Sequence, residues 1–319
     1  MRKLRTNKSA RLQSAMEYLM TYGWAILIIA VVLGALFQLG VFNGANFAPK
    51  APPGACQVFR PNGPGSTSFI NLEGVCSGEL PEYVFSFPNT TTNGDVVPES
   101  KSLDSAWDGG SWTIAAWFKE TTVLGPGEGR DLIEESYGCT SGLWTGSSSA
   151  TQYSVFTIQW YSSGGACTNA GAVTAGYGGI QYNTWVFVAS TFHYIPPSGG
   201  WVAVCVDGAC SNSSWTSNDP TDYAAYGYVF QIHDDDCCGG FLNGGELADV
   251  QFYNTSLSAS TMNAMYYEGI GGAPIQLQNL VGWWPLNGNG QDYSGNNNNG
   301  AVNSGDSFDS SWTSGYATP

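Results

Sequence analysis

Carboxylates at short, repeated spacing are the first residues here that could do chemistry. Glu128, Asp131 and Glu134 lie three apart, and Glu246 and Asp249 repeat the interval. Two carboxyls converging on one glycosidic bond can serve as its acid and base. On a regular strand, however, a three-residue step sends successive side chains to opposite faces, so neither set is expected to converge. Asp234, Asp235 and Asp236 form a different cluster. An oxygen-rich run of this kind can ligate calcium, and the competing reading is a solvated acidic loop. His193 and His233 are the only histidines, and no nucleophile elbow accompanies them. The expectation is a protein that is not an enzyme, with no cofactor other than a possible calcium ion.

Sulfur chemistry is the second theme. Eight cysteines stand at Cys56, Cys76, Cys139, Cys167, Cys205, Cys210, Cys237 and Cys238. With no Cys-x-x-Cys pair and two histidines, a zinc site is disfavoured and an even count reads as disulfides. One pair follows from geometry. Val206 and Ala209 flank an Asp207-Gly208 turn, so Cys205 and Cys210 fall opposite each other in a hairpin, at a non-hydrogen-bonded position where side chains approach closest. Cys56 with Cys76 and Cys139 with Cys167 are plausible partners. Cys237 and Cys238 then remain, and an exchange with Cys139 or Cys167 stays open. Asn89, Asn212 and Asn254 each begin an Asn-x-Ser/Thr glycosylation pattern.

The front of the chain says where such chemistry would take place. Five of the ten basic residues fall within the first eleven positions, and no charge occurs from Tyr18 to Pro49. Leu19 to Phe42 would make a helix roughly 36 Å long, enough to span a hydrocarbon core of about 30 Å. The basic leader predicts that residues 43–319 lie outside the cell. Glu17, at the lip of this segment, is costly unless paired. A cut before Gln13 would place a new α-amino group four residues ahead of it, on one helix face. A bundle of such helices could pair the glutamate of one subunit with the amine of its neighbour.

These features, the basic leader, Gln13, Glu17 and the apolar helix opening Tyr18-Leu19-Met20, resemble the class III signal and N-terminal helix of archaeal type IV pilins and archaellins. The resemblance implies a membrane partner and like subunits assembled through the helix. Leu12 departs from it, because glycine or alanine usually precedes the cut. The alternative is an uncleaved, single-span anchor.

The remaining 277 residues, 43–319, hold five basic and 24 acidic residues, a net charge of −19. Nucleic acid is therefore not an expected partner. The predicted order is a leader over 1–12, an apolar helix over 13–42, a Pro/Gly linker over 43–55, a small disulfide-closed β unit over 56–80, and a β-sandwich over 81–319. Short aromatic and β-branched runs between Gly/Ser/Asn turns carry the last assignment. Trp112, Ile114, Ala116 and Phe118 share one strand face, and Phe156 alternates with Val155 and Thr157. A helix is expected from Ser258 to Glu268, capped by Ser258 and stopped by Gly269.

Ser111 to Lys119, Thr184 to Ala189, Val204 to Gly208 and Gly245 to Asn254 resemble, in order and spacing, laminin G-like domains of the concanavalin A-like jelly-roll class. The fold class expected is thus mainly β, a jelly-roll sandwich behind a pilin-type helix. Residues 277–305 look like the opening of such a domain and are expected to supply an edge of the same sandwich. The resemblance implies an adhesive or structural surface protein that binds an extracellular glycan or protein. A secreted glycoside hydrolase is the alternative of another class. Tryptophans could stack on sugars, but most tryptophans in a sandwich are core, and the sequence singles out none.

Overall fold

The computed structural model describes residues 20, 22–33, 57–59, 70–73, 81–87, 96–97, 103, 110–126, 129–136, 141–161, 171–196, 199–216, 229–232, 244–302, 306–317 and 319. The chain forms two compact units, Met1–Ala51 and Pro52–Pro319. In the first, residues 22–33 are helical (α1) and every one of them is exposed. Trp24, Ile26, Leu27, Ile28 and Ile29 all present their side chains outward. A helix that is apolar all round requires an apolar environment or helical neighbours. Among the described residues no helix is long and apolar enough to cross a membrane. Leu12, Gln13 and Glu17 lie outside the described residues.

The described residues of the second unit are mainly antiparallel β. Its elements are β1 (Gln57–Phe59), β2 (Ile70–Glu73), β3 (Val84–Phe87), β4 (Val96–Val97), β5 (Trp112–Glu120), β6 (Gly129–Ser136), β7 (Ser141–Ser149), β8 (Gln152–Tyr161), β9 (Gly171–Gln181), β10 (Val186–Tyr194), β11 (Gly200–Val206), β12 (Ala209–Trp215), β13 (Val229–Ile232), β14 (Gly245–Tyr253), α2 (Ala259–Glu268), β15 (Leu280–Trp284), β16 (Ala301–Val302) and β17 (Ser307–Asp309). Among the described residues, strands β1 and β2 pair only with each other. One large sheet, sheet I, runs β12-β11-β10-β5-β14-β3-β17, with β15 also on β14; the other, sheet II, runs β16-β4-β13-β6-β7-β8-β9. Residues 280–309 thus enter both sheets, through β15 and β17 in one and β16 in the other.

The two sheets pack face to face as a sandwich. Trp112, Ile114, Ala116 and Phe118 of β5 point inward, as the alternation predicts, and meet Leu143, Tyr153, Val155 and Phe230 from sheet II. One polar strut crosses this core: Ser190 donates to Thr157 Oγ1 (2.5 Å), which donates to the Gly142 carbonyl (3.0 Å). Such buried hydroxyls are tolerated because each finds a partner.

Sheet I is covered on its other side as well. Trp117, Trp185, Phe187, Met262, Met265 and Trp312 form a second core beneath α2 and the C-terminal tail. This explains why β5 and β14 are buried at every position: a strand covered on both faces loses its polar alternation. Helix α2 starts at Ser258, whose side chain accepts from the Thr261 N–H, and Gly269 closes it at φ 78°. Ahead of it, Thr113 Oγ1 accepts from the Leu257 N–H and donates to the Thr255 carbonyl, both at 2.8 Å.

Lys119 secures the tail. Its ammonium pairs with Glu246 at 2.5 Å and donates to the carbonyls of Trp312 and Ser314, both at 3.2 Å. Trp185 Nε1–H donates to the same Trp312 carbonyl, and Trp312 Nε1–H reaches back to the Pro81 carbonyl. The loop after β15 is tied internally. Asp292 accepts from the N–H groups of Trp283, Ser294 and Asn298 and from the Ser294 hydroxyl.

Candidate ligand-binding face

Among the described residues, α2 and the tail cover sheet I, while the outer side of β7 and β8 in sheet II keeps partly exposed residues. Alternation along β7 and β8 decides what it displays. Leu143, Thr145, Tyr153, Val155 and Thr157 are buried, so Trp144, Gly146, Ser154 and Phe156 point the other way. Register then assembles two rows. Trp144 stands opposite Phe156, and Phe156 opposite Gly176; Gly146 stands opposite Ser154, and Ser154 opposite Gly178.

The result is an aromatic pair bordered by bare backbone. The rings of Trp144 and Phe156 lie 6.0 Å apart at 40°, within the range of favourable aromatic pairs. Glycine matters at one position here. A Cβ on Gly146 would sit 3.1 Å from Phe156 Cε1, so the ring lies across that residue. Both rings are partly exposed. The indole N–H of Trp144 is covered and makes no hydrogen bond among the described residues. Two tilted, partly exposed rings with adjacent hydroxyls offer ring contact and hydrogen bonding to a neutral, polar ligand.

The carboxylates behave differently from the sequence expectation. A bulge between Asp131 and Ile133 resets β6, so that Asp131 registers with Trp144 and Glu134 with Gly142. Trp144 and Gly142 are two apart on β7, so the register positions of Asp131 and Glu134 share one parity, where unbroken alternation would set them apart. A bulge adds one residue and so undoes strict alternation. Glu134 has 0% exposure, which withdraws its carboxyl from solvent. Glu128 lies outside the described residues.

Glu246 and Asp249 lie on sheet I, with unrelated partners. Glu246 is bound to Lys119, and burial raises its pKa while the ammonium opposes the rise. Asp249 occupies a bulge at φ 53°. It accepts from Trp283 Nε1–H at 2.7 Å and Gln251 Nε2–H at 2.8 Å, and Tyr253 donates to Gln251 at 2.6 Å. Burial pushes its pKa well up, against those hydrogen bonds, and the nearby Glu268 adds to the rise. This is an internal network that fixes β14 against β15.

The other site residues divide between described and undescribed segments. Cys205 and Cys210 form a disulfide across β11 and β12, their Cα atoms 4.0 Å apart, with Asp207 and Gly208 at φ 48° and 82° in the turn. Asn212 and Asn254 are both exposed. Cys56, Cys76, Cys139, Cys167, Cys237, Cys238, Asn89, Asp234, Asp235, Asp236 and His233 lie outside the described residues. His193 Nδ1 shares a hydrogen bond with Ser256 Oγ at 2.7 Å and stacks on Trp201. Among the described residues no three His, Cys, Asp or Glu side chains cluster as a metal site.

Trp144 and Phe156 are the pair that sequence reasoning did not single out. Phe156 sits in a recognisable alternating run. Trp144 lies in Ser-Gly-Leu-Trp-Thr-Gly-Ser-Ser-Ser, too rich in small residues to announce a strand. The signal was available only jointly: an aromatic flanked by glycine and serine, out of phase with Leu143.

No family model matches the chain, and no curated protein matches it. Among solved structures it is similar to a protein from Bacteroides ovatus provisionally described as carbohydrate-binding. That match has 16% identity and a TM-score of 0.48, over 71% of this chain and 60% of the other. It is also similar to tailspike protein 2 of an Escherichia coli O157:H7 bacteriophage, at 13% identity and a TM-score of 0.41, over 66% of this chain and 30% of that one. A third similarity is to the binding domain of botulinum neurotoxin serotype C1, at 10% identity and a TM-score of 0.36, over 66% and 56%. The chain spans less than two thirds of each of these proteins. At such values the likenesses decide nothing about function, and the two-sheet architecture stands on the strand pairing itself.

Proposed function

We propose that this protein is a cell-surface binding subunit rather than an enzyme. In this reading a laminin G-like jelly-roll head, residues 81–319, holds an extracellular carbohydrate on the outer face of sheet II. The observation that carries it is the Trp144–Phe156 pair, turned away from the core and bordered by Gly146, Gly176 and Gly178. Trp144→Ala in the full chain should abolish glycan-array binding while costing only about 1 kcal/mol of stability, the loss of one aromatic pair, since the ring is outside both cores. Undiminished binding would remove this face from the proposal.

Residues 1–42 support the second half of the reading: the apolar helix anchors the chain in the membrane, residues 43–319 lie outside, and like subunits assemble through it. Its support is the uniformly exposed apolar surface of 22–33 together with the leader, Gln13 and Glu17. Mass spectrometry of the mature chain should find Gln13 at its N-terminus, and Glu17→Ala should block filament assembly while sparing membrane insertion. A mature chain beginning at Met1 leaves the single-span anchor instead.

The bulge in β6 is the one observation favouring a glycoside hydrolase, because it gives Asp131 and Glu134 the same register parity. The full burial of Glu134 counts against it, since a catalytic acid must touch its substrate. Polysaccharide turnover lost in Glu134→Gln would establish that alternative.

A further inference from the structure

We propose that the binding face continues beyond the aromatic pair into a cleft at the tip of the β7–β8 hairpin, and that its ligand is a neutral oligosaccharide longer than one sugar ring. This rests on the carbohydrate reading above and extends it.

The cleft has a volume of about 530 Å³. The loop after β5 supplies an apolar wall of Val123, Leu124 and Pro126, and the end of β7 supplies Ser147, Ser148 and Ser149. Its walls are tied together in advance. The Leu124 N–H donates to the Tyr182 hydroxyl at 3.2 Å, and Ser147 Oγ donates to the Leu124 carbonyl at 3.3 Å. A pre-formed site avoids the cost of ordering on binding.

Ser148 links the cleft to the face that carries the aromatic pair. Phe156 and Ser154 are alternate residues on one face of β8, and Ser154 Oγ donates to Ser148 Oγ at 3.2 Å. Between them, Gly178 leaves the surface open: a Cβ there would meet Ser154 Oγ at 3.2 Å and Ser148 Oγ at 3.9 Å. From Trp144 to Ser148 the strand advances four residues, about 13 Å at roughly 3.3 Å per residue. A single ring cannot engage both ends, whereas a short chain of rings can.

Charge selects the class of sugar. None of the described residues lining the cleft is charged, and residues 43–319 carry a net charge of −19. Among the described lining residues none compensates an anionic sugar, and the net negative charge of the surroundings opposes one. Apolar walls beside hydroxyls match the C–H faces and O–H edges of neutral pyranoses.

The test is calorimetric titration of the full chain, in a detergent without sugar headgroups, with cello-, manno- and malto-oligosaccharides from the monosaccharide to the hexasaccharide. Oligogalacturonates of matching length form the acidic arm. At least one neutral series should bind about tenfold tighter by the tetrasaccharide than as the monosaccharide. Val123→Asp, or Ser148→Val as the milder change, should bring the longer members back to the monosaccharide affinity. Length-independent binding that Trp144→Ala still abolishes overturns the extension and leaves the carbohydrate reading intact. Tighter binding of the acidic series overturns the neutral assignment. Failure of every sugar to bind overturns the extension and the carbohydrate reading together.

Discussion

Lys119 is one of five basic residues beyond position 42, and its ammonium is almost fully enclosed. It meets one carboxylate, two carbonyls and, at 5.2 Å, the ring of Trp185. Lys119→Met would leave Glu246 buried without its cation and should destabilise the protein by about 3–5 kcal/mol, measured by urea unfolding. Replacing Glu246 by Leu in the same chain should recover much of that loss. Asp306 poses the opposite problem. Both its carboxylate oxygens are covered and make no hydrogen bond among the described residues, and burial raises its pKa to about 6. An unfolded aspartate titrates near 3.9, so the folded state holds this proton more tightly. Its contribution to stability is therefore complete below about pH 4 and lost as pH rises through about 6. Asp306→Asn should show a thermal-stability advantage over the parent protein that grows with pH across that window. Neither role was legible in the sequence: a lone Lys in Trp-Phe-Lys-Glu and a lone Asp in Ser-Gly-Asp-Ser give no sign of burial.

At the scale of elements, local chemistry and structure agree where the signal is short-range. The Asp207-Gly208 turn fixes the β11–β12 register, and that register alone brings Cys205 to Cys210. Ser258 and Gly269 bound α2 as their types predict. Ser258→Ala should cost about 1 kcal/mol, read from denaturant melts, because the Thr261 N–H loses its acceptor. The misreading came at β6, where strict alternation was assumed. A bulge depends on pairing with β7 and leaves no mark in Arg-Asp-Leu-Ile-Glu itself. The same limit hid the aromatic pair, since only the registry of β7 with β8 shows that Trp144 and Phe156 are neighbours. Alternation within one strand is readable from one strand; which face becomes the outer one is decided by the partner sheet.

At the scale of the whole chain, the apolar run, the acidic remainder and the β-rich pattern were plain in the composition. The division of labour between the two sheets was not. Two stacked layers need one buried face each, yet sheet I is buried on both, because α2 and the tail close over it. That second covering turns sheet I away from solvent, whereas the outer side of β7 and β8 in sheet II keeps partly exposed residues among those described. The closure has a mechanical side. Strand β3 follows Pro81, the residue whose carbonyl receives the Trp312 indole, and it is hydrogen-bonded to β14 on one edge and β17 on the other. Tension transmitted from the preceding segment along β3 is therefore resisted by two ladders sheared at once, instead of one edge peeled bond by bond. A head tethered at that point would be loaded where its lattice of hydrogen bonds is doubled.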